Sequence, residues 1–82
     1  MKYDKIKEII DCWDPIDLLS YAPHDEYNYE IEKIANLISN YDDEKVVGEI
    51  IYKVFMDSFG QSTFLKNRYD CIVIAKKIVA FC

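Results

Sequence analysis

His24, the one histidine of the chain, stands beside Asp25, and any reaction chemistry would have to begin with that pair. A histidine oriented by a carboxylate can act as a base, with Ser20, Cys12 or Tyr21 as the nucleophile it would activate. Spacing does not favour that use, because a triad is made by geometry and not by neighbours in sequence. A histidine at a helix start among acids reads more simply as a surface residue. Asp14, Asp17, Asp25 and Glu26 offer oxygen ligands to a hard cation, but their order fails the calcium loop. Counting from Asp14, the third position is Ile16 and the sixth is Leu19, where that loop requires an acid and a glycine. Cys12, Cys71 and Cys82 lie too far apart for a zinc knuckle or a redox pair, and read as free thiols used as small apolar residues. Gly48 and Gly60 are too few to build a phosphate-cradling loop. The residues predict no enzyme, no cofactor and no dedicated metal site.

Four helices must position these side chains. Ile6, Ile9, Ile10 and Trp13 recur at helical spacing and predict a first helix from Tyr3 to Cys12 or Trp13. Asp14-Pro15 interrupts it, since proline lacks the N–H that a continuing helix needs. Asp14 is expected to cap one short helical turn over Pro15 to Ser20, ended by Tyr21-Ala22-Pro23. Pro23 is expected to open helix two, with His24, Asp25 and Glu26 in its first turn, where acids suit the helix dipole. Tyr27, Ile31, Ile34, Ala35 and Ile38 form its buried stripe, and Asn40 is the expected terminator. Asp42 or Asp43 caps helix three, whose pairs Val46-Val47, Ile50-Ile51 and Val54-Phe55 repeat every four residues up to Phe59. Gly60 suits a left-handed helix end, and Gly48 inside the helix suggests close approach of a neighbour. Asn67 to Asp70 can cap a last helix over Arg68 to about Phe81, with Cys71, Ile74, Ala75, Ile78 and Phe81 inward. The β-branched run Ile72-Val73-Ile74 could also be a strand, but no second strand is available to pair with it. The expectation is an all-α fold: a compact bundle of four main helices plus a short helical turn after Asp14-Pro15.

The 82 residues allow one domain spanning 1–82, without a linker or repeat. Fifteen acids against ten bases give a net charge of −5, which argues against nucleic acid as a partner. No apolar run is long enough to span a membrane, and the N-terminal Met1-Lys2-Tyr3-Asp4-Lys5 has no apolar segment of a secretory signal. With free thiols, this points to a cytoplasmic protein.

Charge is unevenly placed. Residues 1–44 carry twelve acids and four bases, whereas residues 45–82 carry three acids and six bases. Between Lys7 and Lys33 there are eight acids and no lysine or arginine, interleaved with Trp13, Tyr21, Tyr27 and Tyr29. Tyrosine offers stiff contact area and negative charge steers a basic partner, so Trp13, Asp14, Asp17, Tyr21, His24, Asp25, Glu26 and Tyr27 are the candidate binding residues. The same acids could equally be helix caps and solvated faces.

The stretch Cys12-Trp13-Asp14-Pro15-Ile16-Asp17-Leu18-Leu19, then Ala22-Pro23-His24-Asp25-Glu26-Tyr27 and Glu30-Ile31-Glu32-Lys33-Ile34, resembles the YugE-like family of short bacterial proteins, whose hallmark is W-D-P-I followed by D-E-Y. Ser58-Phe59-Gly60 and Ala75-Lys76-Lys77 resemble its later segments, and Asp17 stands where glycine is usual in that family. The resemblance implies a compact helical domain with no established activity. Physically, the motif reads as a clasp: Trp13 packing over the turn, Asp14 capping it, and Tyr27 anchoring helix two back onto it. Two classes of function follow. One is a non-catalytic protein-interaction module with a basic protein partner, in its most specific form an immunity protein covering a toxin nuclease's basic cleft. The other is a small-molecule or metal-ion binding protein with a pocket near Trp13, His24 and Tyr27. Homo-oligomerisation through the apolar pairs of helix three or four is a further expectation.

Overall fold

The computed structural model describes residues 2–16, 26–38 and 43–81 of the chain. Helix accounts for 77% of the described residues, and none of them is in a strand. The order is α1 (Lys2–Trp13), α2 (Asn28–Leu37), α3 (Glu44–Phe59) and α4 (Arg68–Phe81). This is the expected all-α bundle. The helices pack as a ring, α1 on α2, α2 on α3, α3 on α4 and α4 on α1, with α3 and α4 sharing the most extensive contact.

Each expected stripe is the buried face of its helix. Ile6 and Ile10 of α1, Ile31 and Ile34 of α2, Val47, Ile51 and Phe55 of α3, and Cys71, Ala75 and Ile78 of α4 enter one shared core. Ile9, Trp13, Ala35 and Ile50 pack on its edge, while Val46 is 46% exposed because it falls on the outer side of its pair. The Phe81 side chain lies outside those described.

Local signals set most helix ends. The Asp43 carboxylate accepts the Val46 N–H at 3.0 Å and so caps α3. Gly60, at φ 78°, ends that helix in a conformation glycine adopts without strain. Residues 61–63 then form a turn, tied back by the Phe64 N–H donating to the Gly60 carbonyl at 2.9 Å. Asn67 and Asp70 cap α4 reciprocally: Asn67 Oδ1 accepts from the Asp70 N–H at 2.8 Å, and the Asn67 N–H donates to Asp70 Oδ2 at 3.3 Å.

Two expectations need correction. Helix two does not begin at Pro23: Glu26 and Tyr27 form a turn, and α2 starts at Asn28 with Tyr27 as its cap residue and no side-chain capping bond. Its last residue is Leu37, followed by an extended Ile38; Asn40 lies outside the described residues. Asp14 is not the N-cap of a new turn either. Its backbone, at φ 45°, is left-handed, and its N–H donates to the Ile10 carbonyl at 2.8 Å, so Asp14 closes α1. Pro15 and Ile16 form a turn; the continuation expected to Ser20 lies outside the described residues.

Candidate functional site

The clasp between α1 and α2 rests on one phenol. Tyr27 is fully buried, and its hydroxyl donates to Asp14 Oδ1 at 2.5 Å while accepting the Ile16 N–H at 3.3 Å. The Ile16 N–H is the donor that an N-capping Asp14 would have satisfied directly. Here the carboxylate holds the phenol, and the phenol holds the turn. Lys7 adds a second tie between the helices, pairing with Asp11 Oδ2 at 3.0 Å and donating to Asn28 Oδ1 at 2.8 Å.

Trp13 packs against the core, and most of the turn it was expected to cover lies outside the described residues. Its ring meets Phe55 edge-on at 5.9 Å and Phe64 edge-on at 6.2 Å. Phe55 stacks on Phe59 and on Phe64, and Tyr27 meets Phe55 and Phe59 edge-on. This aromatic cluster joins α1, the start of α2, α3 and the segment before α4. Phe64 is 1% exposed and central to it, yet it belongs to no helical stripe, so periodicity could not reveal it. Its one sequence signal is an isolated aromatic inside a polar segment.

The candidate binding residues therefore separate. Asp14 and Tyr27 are joined in the clasp, Trp13 belongs to the aromatic cluster, and Glu26 is exposed in the turn before α2. Asp17, Tyr21, His24 and Asp25 lie outside the described residues. Of the eight acids between Lys7 and Lys33, Asp11 is ion-paired, Asp14 is engaged, and Glu30 is 6% exposed with Oε1 buried and without a hydrogen bond among the described residues. Glu8, Glu26 and Glu32 remain on the surface. Beside Glu26 and Glu32 the outward side of α2 carries Tyr29, 64% exposed, and Leu37, 58% exposed. The Lys33 ammonium lies 5.4 Å from the Tyr29 ring centre.

A cleft of about 470 Å³ opens elsewhere, between α1 and α4. Glu8, Ile9, Cys12 and Trp13 line one wall, Ile74 and Lys77 the other. Of the residues expected around a pocket, Trp13 borders this cleft, Tyr27 is not among its lining residues, and His24 lies outside the described residues. Cys12 is exposed there, whereas Cys71 is buried, and burial together with the neighbouring Asp70 and Glu49 pushes its thiol up to about 12. Among the described residues no group of three His, Cys, Asp or Glu side chains could hold a metal ion. No described helix is long and apolar enough to cross a membrane.

Fold and site together define a small helical bundle with an aromatic core and a hydrogen-bonded clasp. The chain belongs to the family described as a domain of unknown function, DUF1871, whose model matches residues 5–81. No curated protein and no solved structure matches it.

Proposed function

We propose that the chain is a non-catalytic protein-interaction module that meets a basic partner through the outward side of α2 and the turn before it. The observation that supports this is the exposure of Tyr29 and Leu37 beside Glu26 and Glu32. A large exposed aromatic and an exposed leucine on one helix provide contact area, and Glu26 and Glu32 outnumber Lys33, which lies at the Tyr29 ring, in favouring encounter with positive charge. Asp17 and Asp25, in the segment leading into α2, add to the same sign. The clasp supports the reading because it fixes the start of α2, and a fixed surface loses less entropy on binding. The specific form of this proposal is an immunity-type inhibitor that covers the basic substrate cleft of a toxin nuclease. The pattern Trp13-Asp14-Pro15-Ile16 and Asp25-Glu26-Tyr27 supports grouping the chain with the YugE-like proteins.

The test is quantitative capture from the native host's lysate with three baits: the native chain, a variant with Asp17→Asn, Asp25→Asn and Glu26→Gln, and Tyr29→Ala. A basic protein recovered by the native chain, lost with both variants and released by moderate salt is the expected result. Equal recovery on all three baits would overturn the proposal and leave the acids as caps and solvated faces. For the nuclease form, the captured protein must lose activity when the native chain is added back.

A further inference from the structure

The bundle treats charge differently at its two seams against α4. Where α4 packs on α3, opposite charges close on each other: Arg68 Nε lies 2.8 Å from Glu49 Oε1, and Lys76 Nζ lies 3.7 Å from Glu44 Oε2. Where α4 packs on α1, Glu8 and Lys77 line the two walls of one cleft, yet neither forms an ion pair among the described residues. Between them the lining is Ile9, Ile74 and Trp13, with the Cys12 thiol at the side. Trp13 is held from behind by its edge-on contacts with Phe55 and Phe64, so it is a fixed wall and not a lid.

We propose that this cleft binds a free amino acid with a large apolar side chain. Its ammonium group would meet Glu8, its carboxylate would meet Lys77, and its side chain would cover Ile9, Ile74 and the exposed part of Trp13. The chemistry follows from the lining. A molecule with a single charge answers one wall and leaves the charge on the other to water, so it forgoes one charge-assisted contact. A neutral apolar molecule leaves both charges unpaired beside it. A zwitterion answers both, and an apolar side chain fills the floor that the two helices leave open. The volume of about 470 Å³ is within the ordinary range for small-molecule sites and admits the largest side chains. This site is separate from the outward side of α2, so its failure would leave the proposed interaction untouched.

Cys12 provides the readout, because it is exposed and sits in the cleft wall. Its rate of alkylation by iodoacetamide at neutral pH, resolved from Cys71 and Cys82 by peptide mass spectrometry, reports cleft occupancy. Four probes are compared: leucine, phenylalanine, N-acetylleucine and leucinamide, the last two each lacking one charge. Leucine or phenylalanine should slow Cys12 alkylation severalfold, and either capped derivative should need about tenfold more for the same protection, one lost charge-assisted contact being worth about that factor. Glu8→Gln and Lys77→Gln, both at exposed positions, should each weaken protection similarly while leaving the circular dichroism unchanged. Absence of protection by leucine and phenylalanine would overturn the proposal. Equal protection by the capped derivatives, or full protection in both variants, would overturn it too. Fully buried Cys71 reacts only on opening, which any ligand of the native state slows, so these outcomes are read on Cys12 at labelling times before Cys71 reacts.

Discussion

Tyr27 joins two parts of the chain through one oxygen, and that makes its chemistry separable by mutation. The hydroxyl donates to Asp14 and accepts from the Ile16 N–H, so removing it orphans both. Tyr27→Phe keeps the ring in the aromatic cluster and should cost about 1–3 kcal/mol, the usual loss when buried partners are left unpaired. Asp14→Ala should cost at least as much, because it removes a charged acceptor and puts alanine, which tolerates a left-handed backbone less well than aspartate, at φ 45°. The two losses share one hydrogen bond, so the double variant should fall short of their sum by about 1 kcal/mol in urea unfolding. Additive losses would show that the clasp does not couple the residues. The sequence suggested a turn capped by Asp14 and anchored from helix two by Tyr27, without pairing the two side chains. It could not show that the phenol, and not the carboxylate, satisfies the turn's N–H. That depends on the left-handed backbone of Asp14, which the Asp14-Pro15 pair does not announce.

Gly48 shows how an element's sequence can run against its own propensity for the sake of a neighbour. Glycine inside a helix costs about 1 kcal/mol relative to alanine. A β-carbon there would lie 2.7 Å from Ile72 Cγ1, 3.1 Å from Ile72 Cα and 3.2 Å from its N, so backbone as well as side chain blocks it. Gly48→Ala should therefore destabilise by about 1–3 kcal/mol despite the propensity gained, because α4 must move away from α3. Ile72→Ala removes the nearest atom and should recover part of that loss in the double variant, although by itself it is destabilising; no recovery would place the clash elsewhere. The helices as such were legible, because each carries an apolar stripe at helical spacing, and Asp43, Gly60 and the Asn67 to Asp70 box are local capping signals. The start of α2 was not. Pro23 followed by acids is a generic helix opening, and it is outweighed here by the burial of Tyr27 in a turn, a contact made thirteen residues away along the chain. The α1–α4 cleft was equally hidden, since no pattern within either helix says that Glu8 and Lys77 share a cavity.

Across the whole molecule, the two halves of the chain are built to different standards. The α3–α4 half has the most extensive helix contact, side-chain caps on both helices, two ion pairs across its seam and the close approach at Gly48. Arg68 also lies over the Tyr52 ring at 4.5 Å, adding a further tie between those helices. By contrast α2 has ten residues, no side-chain cap and a buried carboxylate oxygen on Glu30 that finds no hydrogen bond among the described residues. Local stability should follow this division, because opening free energy tracks buried contact and satisfied polar groups. Native-state hydrogen exchange should therefore find the amides of Ile51, Val54, Ile74 and Ala75 slowest, and those of Ile31 and Ile34 at least about tenfold faster, a gap of roughly 1.4 kcal/mol. Glu30→Met, which replaces a carboxylate whose buried Oε1 finds no hydrogen bond among the described residues with an apolar chain of similar length, should narrow the gap by slowing α2 while leaving α3 and α4 near their original rates. Exchange in α2 as slow as in α3 would mean that the bundle opens only as one unit. A faster α2 instead means that the helix with the exposed tyrosine and leucine opens without unfolding the rest, and that the Tyr27 clasp at its start is what limits the ordering cost on binding.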